Sequence, residues 1–523
     1  MSKKRINRRL FALLACWLAC STAARAEVGL NRIFTDSMVL QREMMVPIYG
    51  TADDGERVVV AFAGQKTETT ATNGAWLVRL RPLEAGGPHV LRVRGKNSIE
   101  LRDVLVGDVW ICSGQSNMHR TLSRFENHKP EIPRALNPNI RILWIASQSA
   151  AEPQKDFKIE PRYKNAWRPC TPQFAQHFSA VGYFFGKYLQ PAVGIPLGLI
   201  QSTVGGTSAR AWTPPDVVAR DEFKHLIRSW QGWQKTAQRK TARCEKDLAE
   251  GGAKAKAARK ELARIQRLNN HRLPSGLYNA MIHPLQPFAI KGVVWYQGYS
   301  DAHNFREGLR YRTLFPAMIS GWRRAWGQGD FPFLFVQLPA YGKPQETPVN
   351  EPWAWTREAQ QMALALPNTG MAAIVDAGER GAHPQNKAIV GERLALVARN
   401  KVYGQDLVCS GPRFDGMQVE GRRARIRFTH VGSGLVAKAV TIGRHEVGGE
   451  TLKGFAICGE DRKFVWAEAT IEGDTVVLSA QGIEKPVAIR YAWANFPLCN
   501  LYNTEGLPAV PFRTDRFDPV PRP

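Results

Sequence analysis

The sequence lacks the features that mark a metalloprotein, a nucleic-acid-binding protein or an integral membrane protein. Its eight cysteines form no CxxC pair and no Cys/His group with the spacing of zinc ligands, so we expect no metal site. It contains no phosphate-binding loop, RNA-recognition signature or zinc finger, and we predict no nucleic-acid partner. After the first residues, no apolar run is long enough to cross a bilayer, which predicts a chain without a membrane span.

Residues 1–26 have the composition of a secretory signal peptide. Five Lys and Arg residues lie within positions 3–9, an apolar run covers positions 10–19, and Ala24-Arg25-Ala26 supplies the small residues of a cleavage site. The run is short for a membrane span, although an uncleaved membrane anchor is the alternative. We therefore predict an exported protein, periplasmic or extracellular, whose mature chain begins at Glu27.

The composition is that of a globular protein with an excess of positive charge. The chain has 523 residues, of which 44% are hydrophobic and 22% charged, and this length predicts two to four domains. Removing residues 1–26 removes six positive charges and no negative ones, so the net charge changes from +25 to +19. A basic surface attracts polyanions, which makes a polyanionic glycan a candidate partner. The six cysteines of the mature chain allow one or two disulfides of unknown pairing.

Strand and helix patterns divide the mature chain into three regions. Residues 27–104 and 404–523 consist of short β-rich segments between Gly, Asn and Asp turns, which is typical of β-sandwich domains. Residues 105–403 alternate apolar segments with helical patterns, which predicts a parallel sheet covered by helices on both faces. The expected central strands are residues 109–112, 140–145, 198–201, 292–296, 332–337 and 371–375.

One segment of the central region differs from the rest in composition. Residues 216–270 are rich in Lys, Arg, Ala and Glu, with Gly251-Gly252 in the middle. This pattern predicts a basic helical hairpin inserted in the α/β region. A solvated pair of helices is favoured over an arm that binds polyanions.

A serine motif follows the first predicted central strand. Ser113-Gly114-Gln115-Ser116-Asn117-Met118 comes directly after the apolar residues 109–112. Ligands bind at the carboxyl ends of strands in an open parallel sheet, where a glycine-flanked serine on a tight turn exposes its hydroxyl beside backbone N–H groups. A serine at the N-terminus of an ordinary helix would have the same appearance. Ser116 is therefore a candidate nucleophile.

A serine nucleophile needs a base, because a free hydroxyl reacts poorly at neutral pH. Three histidines, His283, His303 and His383, lie near the ends of predicted strands. His383 lies in the loop after residues 371–375, and the proline that follows it stiffens the turn. We select His383 as the candidate base and interpret the other two as loop or core-edge histidines.

Further blocks of sequence surround these two residues in a characteristic order. They are Phe34-Thr35-Asp36-Ser37-Met38-Val39-Leu40-Gln41-Arg42, Gly114-Gln115-Ser116-Asn117-Met118, Gly205-Gly206-Thr207, Trp295-Tyr296-Gln297-Gly298, Arg357-Glu358-Ala359-Gln360 and His383-Pro384-Gln385-Asn386-Lys387. With them the chain resembles the sialate O-acetylesterase family of carbohydrate esterases, within the SGNH hydrolase superfamily. The resemblance covers nearly the whole mature chain.

The resemblance implies a three-layer α/β hydrolase domain of SGNH type, with Ser116 as nucleophile and His383 as general base. It assigns the oxyanion to the Ser116 N–H, an N–H of Gly205 or Gly206, and the Gln297 amide. The alternatives are a tight strand-to-helix turn for the glycines and a buried amide that holds two loops together for Gln297. The expected function is that of an exported serine esterase that hydrolyses O-acetyl esters on carbohydrates through an acetyl-enzyme, with no cofactor.

Three acidic or amide residues typical of the family are replaced near the expected site. Arg210 stands where the family has a Glu before Ala-Trp, Tyr299 replaces a Glu, and Asp301 replaces an Asn. A catalytically weakened carbohydrate-binding relative is therefore the alternative function. Ser116 and His383 are present and favour the active esterase.

The acid partner of His383 is also missing from its usual place. The family places an acid two residues before the catalytic histidine, where this chain has Gly381. Glu379 and Asp376 are candidate substitutes, although neither has the family spacing. We expect either that one of them reaches His383 or that the histidine relies on a neutral acceptor in a slower Ser–His dyad, and the dyad is the favoured alternative.

Overall fold

The computed structural model describes residues 27–164 and 166–518. The predicted signal peptide therefore lies outside the described residues. The described chain is a mixed α/β protein with one large sheet and further sheets toward the C-terminus. None of its helices combines the length and the apolar composition that crossing a membrane requires.

The N-terminal region forms two antiparallel arrangements of short strands. Strands β1, β3 and β6 make one sheet, while β4, β5 and β7 connect to the large sheet through β8. Buried and exposed residues alternate along β4 and β6, as period-2 side chains with one face on a core require. The strands are β1 (Gly29–Leu30), β2 (Val39–Gln41), β3 (Val46–Thr51), β4 (Arg57–Phe62), β5 (Gln65–Thr70), β6 (Ala75–Leu80), β7 (Gly86–Arg94) and β8 (Ser98–Gly114).

Strand β8 runs without a break through the predicted domain boundary at residues 104 and 105. Its first part pairs antiparallel with β7 and its second part enters the central sheet. Every residue from Val104 to Gly114 is buried, since this part of the strand is covered on both faces. No flexible linker separates the two regions at this point, and the strand end that carries Ser116 is held rigidly.

The central strands occur where the apolar segments predict them, except for β10 (Arg168–Cys170), which was not predicted. They are β9 (Asn137–Ile145), β10 (Arg168–Cys170), β11 (Leu197–Thr203), β12 (Gly292–Tyr296), β13 (Phe333–Val336) and β14 (Thr369–Ala372). The spatial order is β10-β9-β11-β8-β12-β13-β14, parallel except for β10. The sheet is thus mixed, whereas the sequence predicted a purely parallel one. No α-helix occurs among the described residues between β9 and β10, and a return without a helical crossover favours antiparallel pairing.

Helices cover both faces of the central sheet. The Trp110 ring lies 5.3 Å from that of Phe185 on one face, while Trp295 packs against Phe315 and Trp322 on the other. The described helices are α1 (Ser116–His119), α2 (Pro172–Ala175), α3 (Ala180–Val193), α4 (Pro215–Val218), α5 (Lys224–Glu250), α6 (Gly252–Arg272), α7 (Phe305–Trp326), α8 (Pro352–Met362) and α9 (Ala388–Lys401).

The predicted basic hairpin is formed by α5 and α6. The chain reverses at Gly251 and Gly252, whose φ angles of 76° and 60° favour glycine. Few side chains in the two helices are buried, and those of Ala237, Cys244 and Ile265 are among them. The hairpin thus has a narrow apolar seam and a solvated outer surface.

The C-terminal region contains two four-stranded sheets, β15-β16-β23-β22 and β21-β20-β24-β26, which contribute to one apolar core. Its strands are β15 (Arg413–Glu420), β16 (Arg423–Thr429), β17 (Leu435–Ala437), β18 (Val440–Ile442), β19 (His445–Val447), β20 (Phe455–Cys458), β21 (Val465–Trp466), β22 (Glu468–Glu472), β23 (Thr475–Ser479), β24 (Ala488–Tyr491), β25 (Leu501–Asn503) and β26 (Phe512–Arg513). The cysteines of the described chain are all free thiols.

A buried arginine joins the C-terminal region to the central one. The Arg357 guanidinium is fully buried and donates hydrogen bonds to the carbonyls of Leu338 and Pro339 in the central region. It also donates to the carbonyls of Ala494 and Asn495 in the C-terminal region. The two regions are therefore fixed relative to each other near the carboxyl ends of the central strands.

Candidate active site

Ser116 lies on a tight turn at the carboxyl end of β8. It is the first residue of α1, and Gly114 before it has a φ of 132°. A Cβ atom at position 114 would lie 2.3 Å from the carbonyl oxygen of Tyr296, so only glycine fits this turn. The buried Gln115 side chain accepts hydrogen bonds of 3.2 Å from the N–H groups of Gly298 and Ser300. The turn is fixed from beneath, and Ser116 remains partly exposed.

The loop after β11 lies directly beside the serine. A Cβ atom built on Gly205 would be 3.6 Å from the Ser116 Cβ, and Gly206 has a φ of 74° that favours glycine. Within the described chain, the backbone N–H groups of Ser116, Gly205 and Gly206 donate to no protein acceptor. The Ser116 N–H has no partner in its own helix because it belongs to the first turn. These unpaired donors beside a hydroxyl are what an oxyanion hole requires.

Gln297 is placed differently from the prediction. Its side chain is fully buried, and Nε2 donates 3.2 Å to the carbonyl of Thr207 and 2.5 Å to Asp301. Its Oε1 accepts a hydrogen bond of 2.9 Å from the Tyr311 hydroxyl. Both amide hydrogens are therefore used within the protein, and none remains for an oxyanion. The geometry favours the alternative, in which this amide holds two loops together.

Asp301 anchors the glycine loop. Its buried carboxylate accepts hydrogen bonds from the Ser208 hydroxyl, from the Ala209 N–H at 3.0 Å and from Gln297. Burial raises the pKa of Asp301, and the hydrogen bonds from Ser208, Gln297 and Ala209 oppose this rise without cancelling it. The sequence identifies this residue only as a departure from the family, whereas in the structure it holds Ser208 and Ala209, which follow Gly205 and Gly206 in the loop.

The His383 loop packs against the helix that begins with Ser116. The Asn117 Nδ2 donates 2.9 Å to the carbonyl of Ala382, and the Lys387 Nζ donates 2.5 Å to the Asn117 Oδ1. The Lys387 N–H in turn donates 2.9 Å to the His128 Nε2. The structure thus brings the loop that carries His383 to the residue that follows Ser116, as a serine–histidine pair requires.

An arginine occupies the side of His383 where a triad would have an acid. The Arg120 guanidinium donates a hydrogen bond of 3.1 Å to the His383 Nδ1. A neutral imidazole that accepts at Nδ1 carries its proton on Nε2. Burial, together with the positive charges of Arg120 and Lys387, lowers the pKa of His383 to about 4. His383 is therefore neutral at pH 7, but this contact favours the tautomer opposite to that of a triad histidine.

The two candidate acids have other partners. Asp376 forms an ion pair with Arg393 through contacts of 2.6 and 2.7 Å and accepts 2.9 Å from the Tyr502 hydroxyl. Glu379 accepts a hydrogen bond of 2.7 Å from the Gln385 N–H. In the described part of the chain, neither carboxylate is hydrogen-bonded to His383.

The other two histidines considered from the sequence lie outside this cluster. His283 Nδ1 contacts the carbonyl oxygen of Gln154 at 3.0 Å, and the His303 ring packs edge-on against Tyr299. These contacts fit their interpretation as loop or core-edge residues.

Known proteins are similar to this chain over most of its length. The profile of a family described as carbohydrate esterase, sialic acid-specific acetylesterase, matches residues 106–243 and 248–396. Sialate O-acetylesterase of Rattus norvegicus is 31% identical over 526 residues, which cover 91% of this chain and 92% of that protein. The human protein of the same name is 29% identical, with coverages of 91% and 90%. This chain belongs to the sialic acid-specific acetylesterase family of carbohydrate esterases.

The similarity extends to the fold of a carbohydrate acetylesterase of known structure. The crystal structure of a carbohydrate acetylesterase from Xanthomonas citri has 36% sequence identity and a TM-score of 0.79 to it, covering 94% of this chain and 100% of that one. The predicted membership and activity are confirmed, and the protein is a carboxylic ester hydrolase that acts on O-acetyl esters of carbohydrates.

Besides Arg120, a second cation, Lys387, lies close to His383 in the candidate site. Lys387 is fully buried, and its ammonium lies 5.2 Å from the Phe125 ring and 5.7 Å from the Tyr296 ring. Burial and the nearby Arg120 lower its pKa to about 7, although Glu379 acts in the opposite direction. The sequence analysis did not identify Arg120 as a residue of the site, and it included Lys387 only as part of a motif. Arg120 lies four residues after Ser116, one helical turn, and that spacing was the available signal.

Proposed function

We propose that Ser116 is the nucleophile of this esterase and that His383 is its base. The Ser116 oxygen bonds to the acetyl carbonyl carbon while its proton passes to His383. The C–O bond to the sugar then breaks, and the sugar oxygen takes that proton. Water attacks the acetyl-enzyme with His383 again as base, which releases acetate and restores the serine.

The unpaired N–H groups beside Ser116 are the observation that carries this proposal. A Cβ atom built on Gly205 would be in van der Waals contact with Ser116, and the N–H groups of both residues have no acceptor within the described residues. Negative charge develops on the carbonyl oxygen during acyl transfer, and such fixed donors stabilise it. We assign the oxyanion to the backbone of Ser116 and of the glycine loop, without Gln297.

The tautomer of His383 adds a condition to this mechanism. A histidine that takes the serine proton through Nε2 must hold its own proton on Nδ1, where Arg120 now donates. We propose that Arg120 leaves Nδ1 in the active state and that His383 acts in a dyad without a carboxylate. Arg120 is only partly buried and has no acidic partner in the described structure, so no ion pair holds its side chain on Nδ1.

The weakened-relative alternative rests on the same contact. A site in which Arg120 stays on Nδ1 has a neutral histidine in the wrong tautomer and would turn over slowly. Acetate release by the purified mature protein distinguishes the two. We expect hydrolysis of 4-nitrophenyl acetate and of acetylated oligosaccharides, and a loss of about 10⁴-fold or more in kcat for Ser116→Ala. Equal activity of a folded Ser116→Ala variant would show that Ser116 is not the nucleophile.

We also propose that the central region has the three-layer SGNH-type arrangement and that the flanking regions are β-sandwiches. Support comes from the parallel core of the sheet, from helices on both of its faces, and from the positions of Ser116 after the first central strand and of the histidine loop after the last. The paired sheets of the C-terminal region share one core, as sandwich sheets do.

Export is a further part of the proposed function. The basic start, the apolar positions 10–19 and Ala24-Arg25-Ala26 support cleavage before Glu27 and a periplasmic or extracellular location. Mass spectrometry of the exported protein should give Glu27 as the first residue. Retention of Met1 on exported protein would contradict cleavage.

A further inference from the structure

A cavity of about 740 Å³ lies beside the His383 loop, at the junction of the central and C-terminal regions. Three separate segments line it, residues 342–344, 379–381 and 443–445, together with Phe496. Gly381 is two residues from His383, so their Cα atoms are within about 8 Å. The cavity is in the size range of sites that bind small molecules or sugar residues, roughly 300–1,000 Å³.

The wall of this cavity is built by rigid contacts between the two regions. The β18–β19 hairpin turns at Gly443, where a Cβ atom would lie 3.3 Å from the Phe496 ring and 3.5 Å from the Gly378 carbonyl oxygen. The ring of His445, at the start of β19, packs edge-on against Phe496 at 5.5 Å. The C-terminal region thus forms one wall of the cavity, and the loop that carries His383 forms the opposite wall.

Unpaired positive charges converge on the cavity. Lys343, Arg380 and Arg444 each come from a different lining segment, and all three side chains are exposed. In the described chain, none of these three side chains forms a salt bridge, although some surface arginines, such as Arg57 and Arg92, are paired with glutamates. The acid on the wall is Glu379, which accepts from the Gln385 N–H. Three unpaired cations around one cavity are complementary to an anion.

A second cavity continues from the first. It has a volume of about 390 Å³, shares Pro344 and Phe496 with the first, and extends to Trp466. The Trp466 side chain is 46% exposed, and its Nε1 donates 2.7 Å to the carbonyl of Glu346. A fixed, exposed indole beside a groove suits the apolar face of a sugar ring, since aromatic side chains combine apolar area with little loss of conformational entropy.

We infer that these two cavities form a binding track for an anionic, carboxylate-bearing glycan chain, which continues from the acetylated sugar at Ser116. Carboxylates of neighbouring sugar residues would bind Lys343, Arg380 and Arg444, and the chain would run on toward Trp466. This inference rests on the proposed function, because it places the acetylated residue at Ser116. It makes an acidic oligosaccharide, and not a free acetylated monosaccharide, the preferred substrate.

The test compares kcat/KM on three substrates, O-acetylated oligogalacturonides, O-acetylated xylo-oligosaccharides and 4-nitrophenyl acetate. Lys343→Ala/Arg444→Ala should lose about 5- to 20-fold on the acidic chain, as two exposed ion pairs allow. It should change less than about 2-fold on the neutral chain and on the aryl ester, and 0.5 M salt should reduce the wild-type preference.

The matched control is Lys66→Ala/Arg79→Ala, which removes two exposed charges from the N-terminal strands β5 and β6. Equal losses in the two double variants would show a long-range effect of net charge, and equal activity of wild type and Lys343→Ala/Arg444→Ala on the acidic chain would show no local effect. Either result overturns the track.

Chain length tests the second cavity. The gain in kcat/KM from short to long acidic oligosaccharides should disappear in Trp466→Ala and persist in Trp466→Phe. A gain that persists in both variants would remove Trp466 from the track. If wild type releases no acetate from any substrate, the proposed function fails. The track is then judged by equilibrium binding of deacetylated oligogalacturonides to wild type and Lys343→Ala/Arg444→Ala, where equal affinities would overturn it.

Discussion

The two sides of the candidate site differ in how completely their polar groups are matched. On the serine side, the buried side chains of Gln115, Gln297 and Asp301 form hydrogen bonds within the turns around Ser116 and the glycine loop, while the proposed oxyanion donors have no acceptor among the described residues. On the histidine side, Arg120 and Lys387 lie near His383, the proposed base, which has no acid partner among the described residues. In the proposed mechanism, the donors for the oxyanion are therefore already in place, whereas the activation of Ser116 lacks the carboxylate that the family resemblance leads us to expect.

Among the substitutions that test this difference between the two sides, we expect the largest effect from Asp376→Ala, on the stability of the fold. Asp376→Ala leaves the buried Arg393 without its carboxylate, which should lower the free energy of unfolding by about 3–5 kcal/mol. Because Asp376 does not contact His383, kcat per folded molecule should stay within about 3-fold of wild type. Chemical denaturation combined with active-site titration measures both quantities. A loss of orders of magnitude in kcat with normal stability would make Asp376 the triad acid.

The same ion pair predicts the pH dependence of stability. Burial opposes ionisation of Asp376, but the charge and hydrogen bonds of Arg393, with the Tyr502 hydroxyl, outweigh it and hold the pKa of Asp376 below its ordinary value. A carboxylate with a lowered pKa stabilises the fold above its unfolded-state pKa and loses that contribution as pH falls through the folded-state value. Asp376→Ala should therefore cost less stability at acid pH than at pH 7.

The next largest expected effect is a gain in esterase activity when an acid is restored on the histidine side. A Cβ atom at Gly381 would have no neighbour within 4 Å, so an acid fits at the family's position. Gly381→Asp should raise the pKa of His383 by about 1 unit and increase kcat/KM on 4-nitrophenyl acetate several-fold, because a nearby carboxylate favours the imidazolium. Gly381→Asn is the matched control without charge. Equal activities of the two variants would show that the side chain does not reach the histidine.

The serine side should respond least to a conservative change. In Asp301→Asn, one amide atom can accept from the Ala209 N–H and Gln297 while the other donates to the Ser208 hydroxyl. The free energy of unfolding should change by less than about 1 kcal/mol, and kcat should remain near that of wild type. Asp301→Ala leaves those donors unpaired and should lower both. Loss of activity in Asp301→Asn would mean that the charge itself acts in catalysis.

The fold followed largely from local sequence patterns. Residues 292–296 were predicted as a strand and occur as β12, since a continuous apolar run is set by burial on both faces of a sheet. The antiparallel β10 has three residues with no distinctive pattern and was not predicted. The continuity of β8 was also missed, because pairing partners on both sides of residue 104 decide it.

The site was less predictable for a similar reason. Ser116 and His383 stand out by motif, but the atoms they meet are set by side-chain direction in three dimensions. Arg120 lies 263 positions from His383 in the chain, and the two amide hydrogens of Gln297 are used by groups that no motif connects. Sequence could therefore give the reacting residues as predictions, and it could not give the charge that surrounds them.

The pH dependence of kcat/KM on 4-nitrophenyl acetate tests the central claim most directly. If His383 is a base beside Arg120 and Lys387, activity should fall on the acid side with a midpoint near pH 4, the value to which the pKa of His383 is lowered. In Arg120→Met, which keeps the apolar stem but neither the charge nor the donor, the midpoint should move upward while remaining below the ordinary pKa of about 6.5. A wild-type midpoint near 6.5 that Arg120→Met leaves unchanged would contradict the account.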